Sequence, residues 1–104
     1  MKPDKYTILY TSNFINQFNG ILKYFVHELK NKIAAESFYN EVIEKIEKRS
    51  KTPTSFEKYV GVKKRKHTYY KIYVKNFIIF YIVKDSKMEI RSILHSKRNF
   101  QKII

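Results

Sequence analysis

Between Thr68 and Lys75 aromatic and basic side chains alternate with apolar ones. Tyr69, Lys71, Tyr73 and Lys75 fall on one side of an extended chain, and Tyr70, Ile72 and Val74 on the other. Arg91, His95, Lys97 and Arg98 follow, and the run Lys63-Lys64-Arg65-Lys66 precedes. Cations neutralise phosphates and tyrosine rings stack on unpaired bases, so this mixture reads as a nucleic-acid surface. The reaction open to it is metal-free cleavage of RNA, in which a 2′-hydroxyl attacks the adjacent phosphate. Nearby groups then accept its proton, protonate the leaving oxygen and stabilise the phosphorane. His95, Tyr69, Tyr73, Lys71 and Arg98 are the eligible residue types. The same pattern also serves structure alone, with tyrosine suiting a pleated surface and lysine blocking edge pairing.

Other chemistries lack their residues. The absence of cysteine excludes a thiolate nucleophile, a disulfide framework and a zinc ribbon. The three histidines, His27, His67 and His95, are too scattered for an all-protein metal cage, so no metal and no cofactor is expected. His27 reads as a packed helix residue and His67 as a solvated one. Asp85 at a turn and Glu89 alone on a strand offer no carboxylate pair, and Gly20 and Gly61 cannot build a phosphate-cradling loop. What dominates is charge: 22 Lys and Arg against 9 Asp and Glu, net +13. Residues 63–104 carry 12 basic and 2 acidic side chains, so the C-terminal part holds most of the field and attracts polyanions. No run is long enough to cross a bilayer and the first residues lack a signal-peptide pattern, which makes the cytoplasm the expected compartment, with no membrane partner.

The elements that must position these residues are legible in outline. At 104 residues one domain, 1–104, is expected. Tyr6 to Tyr10 reads as a strand. Ser12 is a candidate N-cap for a helix whose Phe14, Ile15, Phe18, Ile21, Leu22, Phe25, Val26 and Leu29 draw one apolar stripe. Asn31 suits a left-handed helix end, and a second helix continues through Phe38, Val42 and Ile46, its Glu41 and Lys45 marking a solvated face. Lys48 and Arg49 suit its C-terminus. Lys75-Asn76 and Asp85-Ser86 are two-residue turns flanking the continuous apolar strand Phe77 to Val83. Beyond them Met88, Ile90, Ser92 and Leu94 alternate with Glu89, Arg91, Ile93 and His95. The fold class is α+β: an N-terminal strand, an antiparallel two-helix hairpin, then a mainly antiparallel sheet of three or more strands.

Three stretches carry a family resemblance: Leu22-Lys23-Tyr24-Phe25 with Ala34-Ala35-Glu36-Ser37-Phe38; Tyr70 through Tyr81; and Ile93-Leu94-His95-Ser96-Lys97-Arg98-Asn99-Phe100. In order and length the chain resembles the RelE/ParE toxins of type II toxin-antitoxin systems, the plasmid stabilisation family, and its long hairpin and Ile-Leu-His ending are more similar to the ParE branch. The resemblance implies a RelE-like two-layer fold and a cognate antitoxin, expected to be acidic, that wraps an extended or helical segment over the toxin. It leaves two mechanisms open. RelE-type members cleave mRNA on the ribosome; Lys71 and Arg98 match two of their basic positions, and His95 would share the proton transfer. Ile78 stands where a further arginine would be, and no tyrosine occurs after Tyr81. ParE-type members inhibit DNA gyrase and need no nuclease site. The reading put first on the sequence is the ribosome-dependent mRNA endonuclease, with gyrase inhibition and a plain RNA-binding module as alternatives.

Overall fold

The computed structural model describes residues 6–59 and 67–97. The order of elements is β1 (Thr7–Tyr10), α1 (Ser12–Lys23), a π-helical segment (Tyr24–Glu28), α2 (Lys32–Arg49), β2 (Lys58–Tyr59), β3 (Tyr69–Val74), β4 (Phe77–Lys84) and β5 (Lys87–His95). Five strands form one sheet in the order β1-β5-β4-β3-β2. The pairs from β2 to β5 are antiparallel, whereas β1 runs parallel to β5, so the helical connection carries the chain across the sheet to its far edge. This is the expected α+β architecture of a strand, two helices and a mostly antiparallel sheet.

Local chemistry sets the boundaries. The cap of α1 is Thr11 rather than Ser12: its hydroxyl accepts from the Phe14 N–H at 3.1 Å and donates to the Arg91 carbonyl at 3.2 Å. At the other end of the helix pair Lys30, not Asn31, takes the left-handed conformation at φ 52°, and Asn31 instead caps α2 by accepting from the Ala34 N–H at 2.9 Å. The hairpin turns Lys75-Asn76 and Asp85-Ser86 fall where expected, with Lys75 and Asp85 at φ 52° and 54°.

Phe14 and Phe18 of α1 and Phe38, Val42 and Ile46 of α2 pack on Tyr70, Ile72, Val74, Ile79, Tyr81, Met88, Ile90 and Ile93. Phe38 is the aromatic hub of this core, with ring centroids of Phe25 and Phe77 at 5.4 and 5.2 Å. Not all of the expected helical stripe joins it, since Ile15 and Leu29 are exposed. The π segment accounts for Leu29: the Leu29 N–H bonds the Tyr24 carbonyl five residues back at 3.1 Å, and the extra residue in the turn rotates the end of the helix away from the sheet.

A bulge alters the last strand. Phe80 pairs with Ser92 but Tyr81 pairs with Ile90, leaving Arg91 as an extra residue. The simple alternation expected from the sequence is therefore broken: Met88, Ile90 and Ile93 face the helices, while Ser92 and Leu94 join the opposite face. That opposite face has its own apolar cluster of Tyr69, Ile78, Phe80, Ile82 and Leu94, with Tyr59 packed against it.

Candidate functional site

Lys71 lies in the middle of β3, half-buried on the sheet face away from the helices, paired with Phe80 in register. Its ammonium is 5.3 Å from the ring centroids of both Tyr59 and Tyr73, and Tyr73 is 57% exposed. A cation between two tyrosine faces is held by their quadrupoles and remains available to an anion. Arg91, on the bulge, sits 5.9 Å over the Tyr69 ring and pairs with Glu89 at 3.2 Å.

The other expected members are placed differently. Tyr69 is buried at 7% exposure and is a packing residue rather than a stacking platform. Lys75 belongs to the turn and reaches Glu41 of α2 at 3.4 Å, a carboxylate that also pairs with Lys45 at 3.4 Å, so it leaves the face of Lys71. His95 aligns with Phe77 and Val74 in register, which puts it on the helix side of the sheet, opposite Lys71. Its ring meets Phe77 edge-on at 5.3 Å, and its Nδ1 accepts from the Lys97 N–H at 3.2 Å, leaving Nε2 to carry the proton of the neutral imidazole. The structure thus separates Lys71 from His95 by the thickness of the sheet. Lys97 is exposed; His27, expected to be packed, is also exposed, and His67 is half-buried. Lys63, Lys64, Arg65, Lys66 and Arg98 lie outside the described residues.

Ile78, at the position where a second nuclease arginine would stand, is 4% exposed inside the opposite-face cluster. Among the described residues no three His, Cys, Asp or Glu side chains gather in a way that could hold a metal ion, and no helix is long and apolar enough to cross a membrane.

Two features escaped the sequence. Arg49, read only as a helix-end cation, ties three elements together: it donates to the Lys71 carbonyl at 2.9 Å and the Tyr81 hydroxyl at 3.0 Å and stacks 3.5 Å over Phe56. Tyr81 in turn donates to the Pro53 carbonyl at 2.7 Å, and its burial pushes the phenol above its ordinary value despite the opposing pull of Arg49. The second feature is a groove of about 570 Å3 between α1, the π segment and the end of β5, with Gly20, Tyr24, Phe25, Phe77 and His95 on its walls. A helical glycine costs about 1 kcal/mol relative to alanine. A Cβ built on Gly20 would meet no atom within 4 Å, so no close contact within the described chain calls for its absence.

Comparison with known proteins decides the family. Residues 8–100 match the model of the family described as ParE toxin of type II toxin-antitoxin system, parDE. The chain belongs to the ParE toxin family. No curated protein sequence matches it. Among solved structures, a chain of the chromosomal ParDE toxin-antitoxin system from P. aeruginosa superposes with a TM-score of 0.73 at 11% identity, covering 91% of this chain and 100% of that one. At that identity the likeness establishes a shared fold. Membership makes this ParE-family chain the toxin of a type II pair, with a cognate antitoxin as its partner.

Proposed function

We propose that this toxin acts without cutting RNA and arrests growth by inhibiting DNA gyrase, which reverses the order of the two mechanisms read from the sequence. The observation that carries the reading is the split of the candidate nuclease set: Lys71 and His95 occupy opposite faces of the sheet, and Ile78 is buried in apolar surroundings. A single-site proton transfer needs its acid, base and phosphate ligands within hydrogen-bond reach of one substrate, and these residues do not converge. Membership in the ParE branch supports the same reading.

Lys71 between Tyr59 and Tyr73 favours a second reading, ribosome-dependent mRNA cleavage with Arg98 as its phosphate ligand. A pulse of expression with DNA and protein synthesis followed separately, and primer extension on a reporter mRNA, tells them apart. The expected outcome is early arrest of DNA synthesis, accumulation of cleaved gyrase complexes and intact mRNA. Immediate translation arrest with cuts confined to translated mRNA, abolished in the Lys71→Ala, Arg98→Ala double variant, would overturn it.

A further inference from the structure

We infer that the outer face of the sheet, the one away from the helices, holds single-stranded DNA: Lys71 takes a backbone phosphate and the Tyr73 ring stacks on an adjoining base. The toxin thereby grips a DNA strand opened in the gyrase complex as well as the enzyme, a setting that rests on the gyrase reading proposed above. The contact itself rests on the chemistry of the face. Inhibition through the enzyme alone would leave that face without a task.

Strand alternation puts Lys71 and Tyr73 on one side of β3, and Tyr59 of β2 shares that side with Tyr69. Both main-chain carbonyls are fixed from α2, that of Lys71 by Arg49 at 2.9 Å and that of Tyr73 by Lys45 at 3.1 Å. The two residues are thus presented on a held strand, which lowers the ordering cost of binding. Tyr73 is more than half exposed, so its ring has surface left for a base. Among the described residues the Lys71 ammonium meets rings and no carboxylate. A cation beside a stacking ring is the means by which single strands are held without regard to sequence.

Charge sets this face apart from the helices. Lys84 and Lys87, exposed and opposite each other at the second hairpin turn, continue the side of Phe80 and Ile82, and Arg91 reaches the same side over Tyr69. Glu89 is the one carboxylate there among the described strand residues, and Arg91 engages it at 3.2 Å. α2, in the other layer, matches Lys32, Lys45, Lys48 and Arg49 with Glu36, Glu41, Glu44 and Glu47. A polyanion is therefore drawn to the sheet side and finds no net attraction on α2.

The test is fluorescence anisotropy of the purified toxin with labelled oligothymidylate, followed by gyrase cleavage of plasmid DNA in the presence of the toxin. Tyr73→Ala is expected to weaken binding by about fivefold or more, as loss of one stacked base does. Lys71→Gln should weaken it too and lower the slope of log affinity against log salt by about 0.7, the mark of one lost phosphate contact. Lys48→Gln, exposed on α2, removes the same charge and should stay within about twofold of the parent. In the cleavage assay the Lys71→Gln, Tyr73→Ala double variant should accumulate far fewer cleaved complexes than the parent. A parent that yields none sinks the gyrase reading, and the DNA contact then stands or falls by anisotropy. No binding of oligothymidylate by the parent, or folded Lys71→Gln and Tyr73→Ala proteins that bind it equally well, would overturn the inference. So would a double variant that has lost DNA binding yet yields as many cleaved complexes as the parent. Binding of oligouridylate about tenfold tighter than oligothymidylate would assign the face to RNA instead.

Discussion

Tyr81 concentrates the physics of this chain in one side chain. Its hydroxyl is buried, donates to Pro53 and accepts from Arg49, and burial holds its phenol above the ordinary value of 10.0. Tyr10 is raised in the same direction, by burial first and then by the negative charge of Glu47. A group whose folded-state pKa is raised gives up its proton more readily in the unfolded chain. The stability it contributes is complete below the unfolded value and fades as pH climbs through and beyond it. Stability measured by urea titration should therefore decline above about pH 10. Tyr81→Phe should make that decline shallower while costing about 1–2 kcal/mol at neutral pH, because the Pro53 carbonyl loses its donor. None of this was legible beforehand: a tyrosine inside an apolar strand announces burial, but which carbonyl it meets depends on a loop 28 residues away.

At the scale of elements, the legible parts are those whose signal is local. Alternation over Tyr69 to Val74, the two turns and the second helical period needed only neighbours in sequence, and all three appear. Pairing of β1 with β5 is a contact between chain regions 80 residues apart, which no local pattern encodes. The placement of His95 differs from the expected one because of one inserted residue: the bulge at Arg91 shifts the phase of β5, so that His95 lies on the helix side instead of beside Lys71. The bulge also frees the Arg91 carbonyl from the ladder with β4, and Thr11 and Asn13 at the start of α1 capture it. Thr11 serves both the helix and the sheet, so Thr11→Ala should cost about 1–2 kcal/mol. A drop in melting temperature of about 4–8 °C per kcal/mol is expected for a domain of this size. Ser12→Ala, next to the true cap, should change little in the same melting experiment.

Across the whole molecule the decisive quantity is the imbalance of charge, plain in the sequence and unchanged by the fold. What the fold adds is where the acids sit: Glu41 is engaged by Lys45 and Lys75, and Glu89 by Arg91, so these carboxylates are turned onto neighbouring cations. An acidic partner approaching such a surface is steered by long-range attraction. Its association rate should fall at least about tenfold between 50 mM and 500 mM salt in stopped-flow mixing, with a smaller change in dissociation rate. A rate insensitive to salt would mean that apolar contacts alone guide the encounter. Composition identifies a strongly basic chain, but not which face meets which partner, since Lys71 lies on one face of the sheet and the cations of α2 on the other.

The extra residue on β5 has one more implication, for how sequences of this shape can change in length. Removing Arg91 would leave Ile90 and Ser92 opposite the same partners on β4 and every other side chain on its present face, because the register on either side is already offset by one. A single deletion inside β4 would instead exchange core and outer face for the rest of the strand. Position 91 is thus a point of tolerance in an otherwise intolerant sheet, where loss of a codon resets local twist and the anchorage of α1 without scrambling the core.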